Sequence, residues 1–139
     1  MGDSTQNQGA DSSVIMPMLS VRRGAEAVEF YKAAFGAEEQ FRIESETGAV
    51  VVQLSVGGAG FWVADEAPAY SNFSPETIGG GTVRMLLIVD DPDASFRRAV
   101  ERGANVVVPM ANQYGWRLGR VVDPYGHHWE IGKLLEAEG

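Results

Sequence analysis

The sequence predicts an α+β fold made of two tandem βαβββ modules. Three observations carry that expectation. Short β-branched and apolar runs alternate with just two segments of helical spacing. The element order of the first half recurs in the second: the interval from the strand end Val21 to the strand end Val89 is nearly the interval from Gly36-Ala37 to Gly103-Ala104. The chain also holds 17 glycines in 139 residues, where the usual ~7% would give about 10, which favours tight turns over a helical bundle. One such module cannot bury both faces of its sheet, so two are expected to pack as one domain or to exchange partners across a dimer.

Residues 1–13 are small and polar, and are expected to form a disordered tail. A single domain is expected at 14–134, with module one at 14–65, a linker at 66–82 and module two at 83–134. Val14–Val21 reads as a strand, with Pro17 forcing an edge or a bulge. Ala25–Phe35 reads as a helix, because Ala27, Val28, Tyr31 and Phe35 recur on one face and Gly36 supplies a C-cap. Gln40–Ser45, Ala49–Val56 and Phe61–Ala64 read as strands joined by glycine turns. Residues 65–82 carry two prolines and three consecutive glycines, a loop long enough to serve a function. Val83–Val89 opens the second module. Asp91-Pro92 then starts a helix over Asp93–Arg102, with Asp91 as N-cap and Pro92 in the first turn. Val106–Val108, Leu118–Asp123 and His127–Ile131 complete the strand set.

Composition excludes several kinds of function. With no cysteine there is no disulfide, no thiolate metal site and no thiol nucleophile. A net charge of −8 argues against nucleic acid and anionic membranes. No apolar run approaches the ~18 residues of a membrane span, and the N-terminus lacks the pattern of a signal peptide, so the cytoplasm is the expected compartment. Nine of the eleven cations are Arg, the side chain suited to gripping carboxylates and phosphates with paired bonds. The two histidines, His127 and His128, are adjacent.

The local strings resemble the vicinal oxygen chelate superfamily, which includes glyoxalase I, the bleomycin-resistance proteins and the extradiol dioxygenases. Ala27-Val28-Glu29-Phe30-Tyr31 followed by Phe35-Gly36-Ala37 is similar to the helix of that family. So is the series Val89-Asp90-Asp91, Gly103-Ala104 and Asp123-Pro124-Tyr125-Gly126-His127. The resemblance covers about residues 14–134. It implies that the two modules form a curved mixed sheet enclosing a groove, and that the protein is a homodimer. It also implies metal-ligand positions on the first and last strands of each half. By strand position these are Met16 and Trp62 in module one, and Arg84 and Glu130 in module two. The interval from Met16 to Arg84 equals that from Trp62 to Glu130. Only Glu130 suits a divalent ion; Arg84 brings a fixed positive charge. Val51 stands where some relatives place a histidine, with Gln53 on the same strand face.

Several readings remain open at the level of sequence. His128 and Glu130 share one strand face and are candidates for acid–base chemistry. Glu130 is also a candidate for an ion pair with Arg84, or for a metal ligand if a metal is bound. Arg117 and Arg120 are candidates for holding an anion or for anchoring the nearby loop. Trp62, Trp116 and Trp129 are candidates for stacking on a flat ligand. The expected function is a metal-independent protein that binds a flat or anionic organic molecule in the groove, using Met16, Gln53, Trp62, Arg84, Trp116, Arg117, Arg120 and Trp129. No cofactor is expected. The alternatives are a divalent-metal-dependent lyase, isomerase or dioxygenase, and a dimeric interaction module.

Overall fold

The computed structural model describes residues 12–136. All of the expected tail except Ser12 and Ser13 therefore lies outside the described residues. Within them, module one runs β1 (Met18–Val21), α1 (Gly24–Phe35), β2 (Glu38–Glu44), β3 (Val50–Val56) and β4 (Ala59–Asp65). The linker holds a 3₁₀ turn at Pro68–Tyr70 and a single α-helical turn, α2 (Pro75–Ile78). Module two runs β5 (Arg84–Ile88), α3 (Pro92–Glu101), β6 (Asn105–Gln113), β7 (Trp116–Val122) and β8 (His128–Leu134). Each module forms a four-stranded mixed sheet, ordered β1-β4-β3-β2 and β5-β8-β7-β6. In each, the first strand runs parallel to the last, because a crossover helix separates it from three antiparallel strands. The repeat holds in register as well as in order: Met18 lies beside Trp62, and Leu86 beside Glu130, at matching places in the two halves.

Helix α1 forms where its apolar residues fall on one stripe. Ala27, Val28, Tyr31, Ala34 and Phe35 are buried, and Gly36 ends the helix at φ 70°, its N–H returning to the Lys32 carbonyl. Helix α3 starts as its sequence demands: the Asp91 carboxylate accepts the Ala94 N–H at 3.2 Å, and Pro92 occupies the first turn. Both helices lie against one face of the sheets and against each other. The two modules therefore share a core, in which the Trp129 ring of module two lies 4.7 Å from Phe35 and 5.5 Å from Phe61 of module one.

Three local features differ from expectation, each for a local reason. The first strand begins at Met18 rather than Val14, because Pro17 has no N–H; its carbonyl still accepts the Trp62 N–H at 2.9 Å. The strand expected at Val106–Val108 continues through Pro109 to Gln113. It is an edge strand with two register shifts, so the missing proline N–H costs no ladder bond. The hairpin that follows turns at Tyr114-Gly115, both at positive φ, a conformation the sequence marks at only one of the two positions. Among the described residues no helix is long and apolar enough to cross a membrane.

Candidate functional site

Strand alternation sends half of each sheet toward the helices and half toward an open face. On the second sheet the open face carries Arg84 on β5, Arg120 on β7, and His128 and Glu130 on β8. The register fixes this neighbourhood: Arg84 lies beside His128, and Arg120 beside Glu130. Arg84 Nε donates to Glu130 Oε1 at 2.5 Å, so the ion pair is the arrangement present. The second guanidinium, that of Arg120, comes no nearer than 4.0 Å to the other carboxylate oxygen. Arg84 is more than half exposed, so the pair contributes at most about 1 kcal/mol to stability. Its consequence is mainly local charge: two guanidiniums share one carboxylate.

A cavity of about 520 Å³ opens beside this cluster. Arg84, Arg120, His127 and His128 supply its charged and titratable wall, and no carboxylate is among its described lining residues. Its apolar wall is built by Met18 and Leu19 of β1 and by Phe73 and Ile78 of the linker. Both modules and the loop between them therefore contribute to it. Two buried nitrogens on this wall, Arg120 Nε and His128 Nδ1, have no hydrogen-bond partner among the described residues. Such groups cost ~1–3 kcal/mol each when left unpaired.

The wall is held rigid from beneath. Asp123 is only 3% exposed and accepts four donors: the Tyr31 hydroxyl, Trp129 Nε1 at 2.9 Å, and the Tyr125 and His127 backbone N–H groups, each at 2.9 Å. Burial first, and the Asp123 carboxylate second, push the Tyr31 phenol well above its ordinary range. This carboxylate fixes the turn that precedes His128. His127 then reaches across to the first module, its Nε2 lying 2.9 Å from the Ser20 carbonyl. The linker is pinned as well. Glu66 accepts the Ser74 N–H and the Thr77 hydroxyl, each at 2.8 Å, and these bonds, the backbone one first, hold its carboxyl below the usual range. Neither Asp123 nor Glu66 stands out in the sequence as a site residue. The Asp-Pro-x-Gly string reads as a turn, and the Tyr31 partner of Asp123 is far away along the chain.

On the first sheet the open face carries Gln53 and Trp62, directly paired in register. Gln53 Nε2 points at the Met16 sulfur at 3.5 Å, and Phe41 packs edge-on to Trp62 at 5.8 Å. Met16 and Gln53 line a second cavity of about 440 Å³. Trp116 falls on the open face of the second sheet by strand alternation.

Two expected ligand residues point elsewhere. Trp129 is 2% exposed and is a core residue, its indole N–H spent on Asp123. Arg117 lies on the helix side of its sheet, where Nε and Nη2 grip both Asp93 oxygens at 3.0 and 2.7 Å. That bond holds the Asp93 carboxyl below its ordinary range. Arg117 anchors the start of α3 to β7, and strand parity keeps it off the open face that Arg120 occupies.

A divalent cation does not fit the matched positions. Met16 and Trp62 offer no oxygen or imidazole, and Glu130 already has a guanidinium on one oxygen and a second nearby. Among the described residues no three His, Cys, Asp or Glu side chains gather in a group able to hold a metal.

Two βαβββ modules that share a core, with a cavity where they meet, define the class of fold. The chain belongs to the Glyoxalase/Bleomycin resistance protein/Dioxygenase superfamily, whose model matches residues 14–131. It is 34% identical over 143 aligned residues to the uncharacterized protein Rv0887c of Mycobacterium tuberculosis, covering 96% of this chain and 84% of that one. It is similar to the X-ray structure of the Arabidopsis thaliana gene product At5g48480, at 31% identity and TM-score 0.67, covering 86% of this chain and 97% of that one. The fold is also that of the fosfomycin resistance protein FosX from Listeria monocytogenes, determined with Mn(II) and sulfate, at 14% identity and TM-score 0.67. That match covers 88% of this chain and 92% of FosX.

Proposed function

We propose that the chain is a cytoplasmic, metal-independent binding protein that holds a flat or anionic organic molecule between its two modules. The observation that carries this reading is the chemistry of the 520 Å³ cavity. Its size lies within the ~300–1,000 Å³ of small-molecule sites, and its wall pairs an apolar side with a few convergent polar groups. Where the family's metal ligands would stand, this chain places Met16, Trp62 and Arg84, with Glu130 neutralised by Arg84. Binding energy then comes from apolar burial and from guanidinium contacts rather than from chelation.

The reading includes a homodimer. The open faces carry large apolar residues in the single chain: Phe41 and Ile43 on the first sheet, Leu86 and Ile88 on the second, with Leu86 60% exposed. Paired apolar exposure of this kind marks an interaction surface. Light scattering coupled to size exclusion is expected to give twice the mass of the 139-residue chain. A monomer at high micromolar concentration removes that part of the reading.

The binding claim is tested by thermal shift and calorimetry of the protein in EDTA against a panel of flat and anionic organic compounds. Saturable binding that raises the melting temperature with ligand concentration is expected. No saturable binding across the panel, or binding that appears only on adding a divalent metal, would overturn it.

A further inference from the structure

The charges around the cavity narrow the ligand class, an inference that rests on the binding reading above. The chain as a whole is acidic, at net charge −8, yet the cavity's ionisable lining is two arginines and two histidines with no carboxylate among the described residues. A concave positive patch on an acidic protein concentrates anions at that one place. Of the two guanidiniums, Arg84 gives its Nε to Glu130 Oε1 at 2.5 Å, while Arg120 stands 4.0 Å from the other oxygen of the same carboxylate. Counting the arginines and Glu130, the cluster carries one uncompensated positive charge.

The donors left over are placed together. Arg120 on β7 and His128 on β8 point from the same face of adjacent strands, one pleat apart in register. Arg120 Nε and His128 Nδ1 are the two buried nitrogens of this wall without a partner among the described residues. His127 is not available in the same way, because its Nε2 already meets the Ser20 carbonyl. With Nδ1 protonated, the His128 imidazole and the diagonally neighbouring Arg120 guanidinium match the two oxygens of one carboxylate, and a charge-assisted pair of that kind is stronger than a neutral one. The Arg120 side chain is 28% exposed and lines the cavity, so its guanidinium is within reach of a ligand there. The lining also includes Met18, Leu19, Phe73 and Ile78, whose side chains offer no partner for a second charged group.

We propose that the cavity takes an organic monocarboxylate, its carboxylate held by Arg120 and His128 and its apolar body lying against β1 and the linker. Glu130 has a positioning role: it holds the Arg84 Nε and cancels one of the two guanidinium charges that face the ligand. A phosphate dianion suits the site less well, since it would face a single uncompensated positive charge.

The test uses the full chain and isothermal calorimetry with matched pairs of aromatic and aliphatic acids and their primary amides, together with inorganic phosphate. The acids are expected to bind about tenfold tighter than their amides at low salt, and to lose part of that margin as salt rises. Arg120→Gln is expected to abolish the margin by weakening the acids more than the amides. Glu130→Gln, which releases Arg84, is expected to widen it. Amides binding as tightly as acids, an acid preference that survives Arg120→Gln, or phosphate binding more tightly than every acid would overturn the carboxylate assignment and leave the binding reading intact. Failure of every acid and every amide to bind would overturn both.

Discussion

Asp123→Asn tests whether one buried carboxylate holds the two modules and the binding wall in register. Asp123 Oδ1 accepts the Tyr125 and His127 N–H groups, and Oδ2 accepts the Tyr31 hydroxyl and Trp129 Nε1. An asparagine can keep its oxygen toward the two backbone donors. Its NH₂ then faces the Trp129 indole N–H, a donor against a donor, while the Tyr31 hydroxyl can turn to accept. One hydrogen bond to a charged group is lost outright and another is reversed. At roughly 1.5–3 kcal/mol for a bond to a charged group, with the penalty for an unpaired buried N–H overlapping it, the loss should be about 3 kcal/mol. That is a large share of the ~5–15 kcal/mol stability of an ordinary domain. Tyr31→Phe removes one donor and leaves the other three, and should cost about half as much. Urea denaturation followed by tryptophan fluorescence reads both as shifts in midpoint at constant slope. If Asp123→Asn lies within about 0.5 kcal/mol of the unmodified protein, the hub argument is wrong.

Two further predictions concern acid stability and the linker. Glu39 is held down to about 2 by its bonds to Arg42 first and Lys32 second. A carboxyl lowered on folding contributes stability that is fully present above its unfolded range near 4.5 and is lost as pH falls toward 2. Glu39→Gln should therefore flatten the acid limb of the stability–pH curve in that window, and parallel curves for the two proteins would refute this. Gly126 sits at φ 93°, and a Cβ there would meet the Pro75 Cβ at 2.8 Å. Gly126→Ala should cost more than about 1 kcal/mol and raise hydrogen exchange in the Ser74–Ile78 turn. Unchanged exchange there would mean that the linker is not held by this contact.

Much of the architecture is legible in the sequence because it depends on local patterns. Helix α1 follows from the spacing of Ala27, Val28, Tyr31 and Phe35, and α3 from Asp91-Pro92; both form where expected. The Arg84–Glu130 pair is one of the readings the sequence leaves open, and it is the contact that forms. The limits lie where parity and distant partners decide. Arg117 and Arg120 share one strand, and only register assigns one to Asp93 and the other to the cavity. Trp129 reads as a stacking residue in the sequence, but it faces Phe35 and Phe61 from the other half of the chain. The linker's contribution to the cavity wall depends on folding back over β1, which its Pro- and Gly-rich composition does not encode.

The central claim is that an organic ligand binds at the meeting point of the modules without a metal. It is tested most directly by amide and methyl NMR of the chelator-treated protein during titration with the tightest-binding compound of the panel. Saturable shifts are expected at Met18, Ile78, Arg120 and His128, unchanged when diamagnetic Mg(II) or Zn(II) is added. Shifts that map elsewhere, or that require the metal, would contradict it.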